Sequence, residues 1–285
     1  MIKRILVALD PDQDTPVATR YAAEVAGRYD AAVSGLAVVD TGHIAREVGP
    51  GGAIGATHYI EQSRKRMVDE AREAGQTLVA EFEAALDEAG VRHSGCVEEG
   101  VPDRRIIEDM KYCDLLVIGR TPRFFYHQPE RETPTLARVV KRGVAPALVV
   151  GEEHHAIERV LVAYDGSDPA ARTLQRFAQL QPFGRDLSVE LVHVHAGDTK
   201  GASERSELLL RRACPFLQAH GFERVTETSM AGEGPAERLL EQADRVGADL
   251  IVAGAHSVSA VRRMAFGSTT HTLLENCTLP LFLFN

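Results

Sequence analysis

Gly254, Ser257, Gly267 and Ser268 punctuate a stretch that begins as an apolar run, Asp249-Leu-Ile-Val-Ala-Gly254, and resumes with helical character in Gly267-Ser-Thr-Thr-His-Thr-Leu-Leu-Glu-Asn276. Such a segment places backbone N–H groups and hydroxyls at a helix N-terminus beyond the carboxyl end of a strand, where a phosphate is held by unpaired donors and the helix dipole. The implied ligand is a nucleotide.

The segment belongs to a chain written twice. Ile2-Lys-Arg-Ile-Leu-Val-Ala-Leu-Asp10 returns as Ile157-Glu-Arg-Val-Leu-Val-Ala-Tyr-Asp165, and Cys113-Asp-Leu-Leu-Val-Ile-Gly119 returns as Ala248-Asp-Leu-Ile-Val-Ala-Gly254. Val144-Ala-Pro-Ala-Leu-Val-Val150 closes the first copy as Thr278-Leu-Pro-Leu-Phe-Leu-Phe284 closes the second. A repeat of this length implies two homologous domains rather than a solenoid, 1–151 and 157–285, joined by Gly151-Glu-Glu-His-His-Ala156.

With 285 residues, 44% of them apolar and 26% charged, the chain can bury two ordinary cores. Its formal net charge of -9 argues against a nucleic-acid partner. Asp10 interrupts the opening apolar run before a signal peptide would be complete, and no apolar stretch reaches the roughly 20 residues of a membrane span, so a cytoplasmic protein with no membrane partner is expected. Cys96, Cys113, Cys214 and Cys277 lack the close spacing of a metal or redox motif.

Short Val/Ile/Leu-rich runs alternate with stretches of helical period, the pattern of a parallel sheet covered on both faces. Strands are expected near 4–9, 32–39, 92–98, 114–118 and 146–150, then 159–164, 188–194, 224–229, 249–253 and 280–284. Helices are expected over 59–89, Pro169 to Leu180 and Pro235 to Val246. His43 to His58, containing Gly49-Pro-Gly-Gly-Ala-Ile-Gly55, reads as too glycine-rich for regular structure, either a lid or partner loop or a plain insertion. The apolar closing strands are edges that need covering, so the domains are expected to pack through them about a pseudo-two-fold axis.

Val-Ala-Tyr-Asp165-Gly-Ser, Val192-His-Val194 and the final Gly-x2-Gly-x9-Gly-[Ser/Thr] turn together resemble the universal stress protein family, in a tandem two-domain form. The resemblance implies two five-stranded parallel α/β sandwich domains of Rossmann-like type, and ATP with Mg²⁺ as ligand. It places the adenosine near Ala163, Asp165 and Val194, and the phosphates on Gly254, Gly267, Ser268 and Thr269. The turn departs from the family pattern at Ser257, where a Cβ stands in place of the second glycine. Independently of the resemblance, Asp165 ends its strand where a carboxylate can accept from ribose hydroxyls, and Ser268 and Thr269 supply N–H and O–H donors. Each residue also has a plainer reading: an N-cap pair, a turn aspartate, a strand end.

The first domain lacks the turn. Glu132-Thr133-Pro134-Thr135 stands opposite Gly267-Ser268-Thr269-Thr270, Pro122 replaces the second glycine, and a carboxylate and a proline there oppose anion binding. Asp10 is retained and leaves room for a nucleoside. Phe124-Phe-Tyr-His-Gln-Pro129 reads as core or interface packing before a ligand site. His193 and His195 share a strand face without a third metal ligand, His154 and His155 read as exposed in the linker, and Arg262 and Arg263 precede the turn.

The leading expectation is a cytoplasmic, ATP-binding stress-response regulatory protein and homodimer. Its second domain holds the nucleotide, and its first serves protein partners or another ligand. A dedicated phosphoryl-transfer enzyme is disfavoured, because no Gly-x4-Gly-Lys-[Ser/Thr] occurs and no base is evident near the turn; slow ATP hydrolysis and a ligand-free interaction scaffold are the alternatives.

Overall fold

The structure, a computed structural model, describes residues 1–48, 56–122, 124, 135–197, 199–255 and 268–285. The first half runs β1 (Arg4–Leu9), α1 (Asp14–Tyr29), β2 (Ala32–Asp40), α2 (Thr41–Val48), α3 (Ala56–Glu88), β3 (His93–Gly100), α4 (Pro102–Met110), β4 (Leu115–Gly119), α5 (Thr135–Arg142) and β5 (Ala147–Val150). The second runs β6 (Arg159–Ala163), α6 (Asp168–Leu180), β7 (Ser188–His195), α7 (Lys200–Ala219), β8 (Arg224–Ala231), α8 (Pro235–Val246), β9 (Leu250–Gly254), α9 (Ser268–Asn276) and β10 (Leu281–Phe284).

These strands form one ten-stranded sheet, ordered β3-β2-β1-β4-β5-β10-β9-β6-β7-β8. Within each half the pairs are parallel. The seam, β5 against β10, is antiparallel, with Leu281 opposite Val149, Phe282 opposite Leu148 and Leu283 opposite Ala147. In the repeat alignment Leu148 corresponds to Phe282, Ala147 to Leu281 and Val149 to Leu283. Exchanging the halves therefore maps the outer two pairs onto each other and leaves Leu148–Phe282 on the axis. The closing strands thus cover each other's edges about a pseudo-two-fold, for the reason their composition suggests.

Side chains alternate across the seam. Leu148 and Phe282 join the core on one face with Val7, Tyr21 and Phe177. Val149, Leu281 and Leu283 join the other with Leu6, Ile118, Leu161 and Ile251. Both cores therefore run through both halves, and Phe177, Phe222 and Phe282 pack ring to ring at 5.6 Å.

Two sequence expectations need correction. His43 to Val48 are helical, in α2: the Asp40 carboxylate accepts from the His43 N–H at 2.8 Å as the helix starts, and Ile44 is buried beside Val39 and Ala71. The glycine run 49–55 lies outside the described residues. Nor are His154 and His155 exposed. The Tyr21 hydroxyl donates to the His155 carbonyl at 3.0 Å and accepts from the His155 N–H at 2.8 Å, the His154 ring packs 4.4 Å from Tyr21, and His154 Nε2 meets Glu24 Oε1 at 2.8 Å. The linker is docked on α1.

Behind the second crevice, the start of α6 packs directly on β9. A Cβ at Gly254 would lie 2.7 Å from the Ala170 amide nitrogen, and one at Gly119 would lie 2.8 Å from the Asp14 Cβ in the first domain. These glycines admit the helix that follows strand one. Gly254→Ala should therefore destabilise the protein by about 1–3 kcal/mol through overpacking against backbone, read as a lower urea midpoint with an unchanged slope.

Burial pushes the Tyr21 phenol up to about 12 from its ordinary 10. A raised acid pKa stabilises the fold below the unfolded value of 10 and loses that contribution as pH rises through about 12. Wild-type stability should fall between those limits, and Tyr21→Phe should show a shallower fall in denaturant titrations across the same pH range.

Candidate functional site

In each half the sheet order reverses between strands one and four, which opens a crevice at their carboxyl ends. In the second half this crevice is a cleft of about 330 Å³, at the lower end of the small-molecule range. Its rim comes from the ends of β6, β7 and β9 and from the N-terminal turns of α6, α8 and α9. Three helix starts facing one cleft favour an anion.

Six residues marked in the sequence line this cleft: Ala163, Asp165, Val194, Gly254, Ser268 and Thr269. Ser257 and Gly267 lie outside the described residues, as do Arg262 and Arg263. Asp165 is exposed, and its Oδ1 accepts from the Ser167 N–H at 2.9 Å, which leaves further carboxylate lone pairs toward the cleft. Ser167 caps α6 by accepting from the Ala170 N–H. Val194 and Ala163 pack against the apolar core on this face. Ser268 opens α9 at the surface, Thr269 is half-buried, and the buried Thr270 hydroxyl donates to the Gly254 carbonyl at 3.1 Å, tying the helix start to β9. Gly254 thus contributes its carbonyl to that tie, and its missing side chain serves α6.

The sequence reading missed several lining residues: Tyr164, Ser167, Ala170, Val192, His193, Pro235, Leu239, Ala253 and Thr270. Pro235 and Leu239 carried a signal, since a proline at a helix start following a parallel strand places that helix mouth over the sheet end. Tyr164 is pushed up by burial and by Asp165. His193 is pulled down by burial and by His195, with Asp165 acting in the opposite sense, so it is neutral at pH 7. Its Nδ1 bonds Ser206 Oγ at 2.9 Å, and Ser229 Oγ bonds the same hydroxyl at 2.6 Å. A hydrogen-bonded imidazole thus lines the cleft on the β7 side.

The first domain differs at the matching place. Asp10 is 3% exposed, against the exposed Asp165, and its Oδ2 accepts from the Phe124 N–H at 3.1 Å. Phe124 is 1% exposed and packs in the same core as Ala8, Val38, Ile106 and Ile118. It sits at φ 49, a left-handed conformation disfavoured for an aromatic residue and sustained by that burial. Asp10 is thus covered where the sequence left room for a nucleoside. Phe125 to Pro134 lie outside the described residues.

No helix among the described residues is long and apolar enough to cross a membrane. The four cysteines are unpaired thiols, and burial raises Cys113 and Cys214 to about 11.

Comparison with known proteins covers the whole chain. The family model described as Universal stress protein family matches residues 1–150 and again 156–285. A universal stress protein of Synechocystis is 24% identical over 99% of this chain and 100% of its own length. A Mycolicibacterium smegmatis universal stress protein is 26% identical over 98% of this chain and 96% of its own. The crystal structure of a universal stress protein from Archaeoglobus fulgidus superposes with a TM-score of 0.64 at 20% identity, covering 99% of this chain and 96% of that one. With its sheet order, its duplicated halves and both family matches, the chain belongs to the universal stress protein family, as a tandem two-domain member.

Proposed function

We propose that the second domain binds an adenine nucleotide, ATP, and that the protein is a nucleotide-responsive regulator in stress physiology. The carrying observation is that six residues which the family resemblance assigns to the ligand meet around one cleft of about 330 Å³. In this reading the base lies against Ala163 and Val194, where an apolar wall and strand backbone can hold it without side-chain chemistry. Asp165 accepts from the ribose hydroxyls. The phosphates lie at the start of α9, where Ser268 and Thr269 offer backbone and hydroxyl donors and the dipole adds favourable potential. Mg²⁺ enters as part of the nucleotide complex, coordinated chiefly by phosphate and water.

The first domain, with Asp10 covered by Phe124, serves protein contact in this reading. The proposed setting is the cytoplasm, with the chain assembled as a homodimer. The slow-hydrolysis alternative is favoured by one observation, the neutral His193 in the cleft lining.

Calorimetric titration tests the reading. ATP should bind wild-type protein, and Asp165→Ala should weaken binding by about 1–3 kcal/mol, the scale of losing hydrogen bonds to a charged acceptor, with the fold retained by circular dichroism. Unchanged affinity in Asp165→Ala would contradict the ribose assignment. Loss of a measurable ATP turnover in His193→Ala, with affinity kept, would make the site an enzyme's.

A further inference from the structure

The helix that opens the candidate phosphate site is held at its far end by the other domain. Arg120 follows β4 of the first domain, and its guanidinium crosses the seam to the end of α9. Nη1 donates to the Leu274 carbonyl at 3.4 Å and to that of Cys277, and Nη2 donates to the Leu279 carbonyl at 2.5 Å. These carbonyls are the ones a helix end and the turn after it leave without intrahelical partners, and a cation there meets the negative end of the dipole. Arg120 is itself fixed, because its backbone N–H donates to Asp14 Oδ2 at 2.8 Å.

Among the described residues the brace is not reciprocated. The residue matching Arg120 in the second repeat is Ala255, too short to reach α5, and the Lys141 carbonyl near the end of α5 accepts instead from the neutral Asn285 Nδ2 at 2.9 Å. Of the matching pair α5 and α9, the bracing arginine among the described residues stands at the end of α9, whose start lines the open cleft. At its start α9 is tied by the Thr270 hydroxyl to the Gly254 carbonyl, and at its end by Arg120. A nine-residue helix is a rod of roughly 13 Å, so fixing its end fixes the aim of the N–H groups at its start.

We infer that Arg120 is a positioning residue for the phosphate end of the cleft, coupling docking of the first domain to nucleotide binding in the second. The inference rests on the nucleotide reading above. It makes the first domain part of the site's regulation: a partner that loosens the seam lowers affinity for the phosphates, and by linkage the bound nucleotide tightens the seam by the same factor. Adenosine, which does not reach the start of α9, is indifferent to the brace.

Titration of the full chain with ATP and, separately, with adenosine tests this. Arg120→Met should weaken ATP about tenfold and leave adenosine unchanged, and Arg120→Lys should recover part of the loss, since one ammonium restores the charge with fewer bonds. Amide exchange over Thr270 to Asn276 in the ligand-free protein should be faster in Arg120→Met than in wild type. Unchanged ATP affinity, or equal losses for ATP and adenosine, overturns the coupling, the second outcome reducing Arg120 to general support of the fold. Should Arg120→Met fail to fold, Arg120→Lys carries the same comparison, with a smaller selective loss of ATP expected. Wild-type protein that binds neither ligand overturns the nucleotide reading and the coupling with it. Unchanged exchange in α9 refutes the brace whatever the ligand does.

Discussion

The antiparallel pairing of β5 with β10 is the contact on which the molecule is built. Four-residue strands of this apolarity, Ala147–Val150 and Leu281–Phe284, would be exposed edges in isolated domains, and pairing them satisfies the backbone and buries both faces at once. It also makes the two cores continuous, since Leu148 and Phe282 point to one face while Val149, Leu281 and Leu283 point to the other. Further contacts between the halves gather around this seam. Tyr21 holds the linker, Tyr29 donates to the Gln181 carbonyl beyond α6, and Arg120 and Asn285 each reach a helix end across it.

Duplication gave two crevices with one topology and different chemistry. In the second half an exposed aspartate shares a cleft with three helix starts and a half-buried imidazole. In the first half the matching aspartate is covered by a phenylalanine whose N–H takes one carboxylate oxygen. The left-handed backbone at Phe124 is the local cost of that cover, offset by complete burial of the ring.

Much of this architecture was legible in the sequence, for a physical reason. Strands buried on both faces read as continuous apolar runs, so β1, β4, β6 and β9 stand out without alternation, and the repeat doubles every signal. Residues lining the candidate site were legible where a strand end and a helix start sit at fixed spacing, as at Asp165 and Ser268. What escaped was long-range. Nothing local in His154-His155 points to Tyr21, which lies 134 residues from His155. Helix α2 was hidden by the neighbouring glycine run, although Asp40 three residues before His43 was a usable cap signal. Arg120 directly follows a strand, and its partners at the end of α9 lie 154 to 159 residues away, beyond the reach of any local pattern.

Under the proposed function the two halves, alike in fold, are unequal as nucleotide sites. Native mass spectrometry of the full chain in the presence of ATP and Mg²⁺ addresses this most directly, because it counts ligands per chain. Saturation is expected at one ATP per chain, abolished in Asp165→Ala at the same nucleotide concentration and retained in Asp10→Ala. Two ATP molecules per chain, or one that survives Asp165→Ala and disappears with Asp10→Ala, would contradict it.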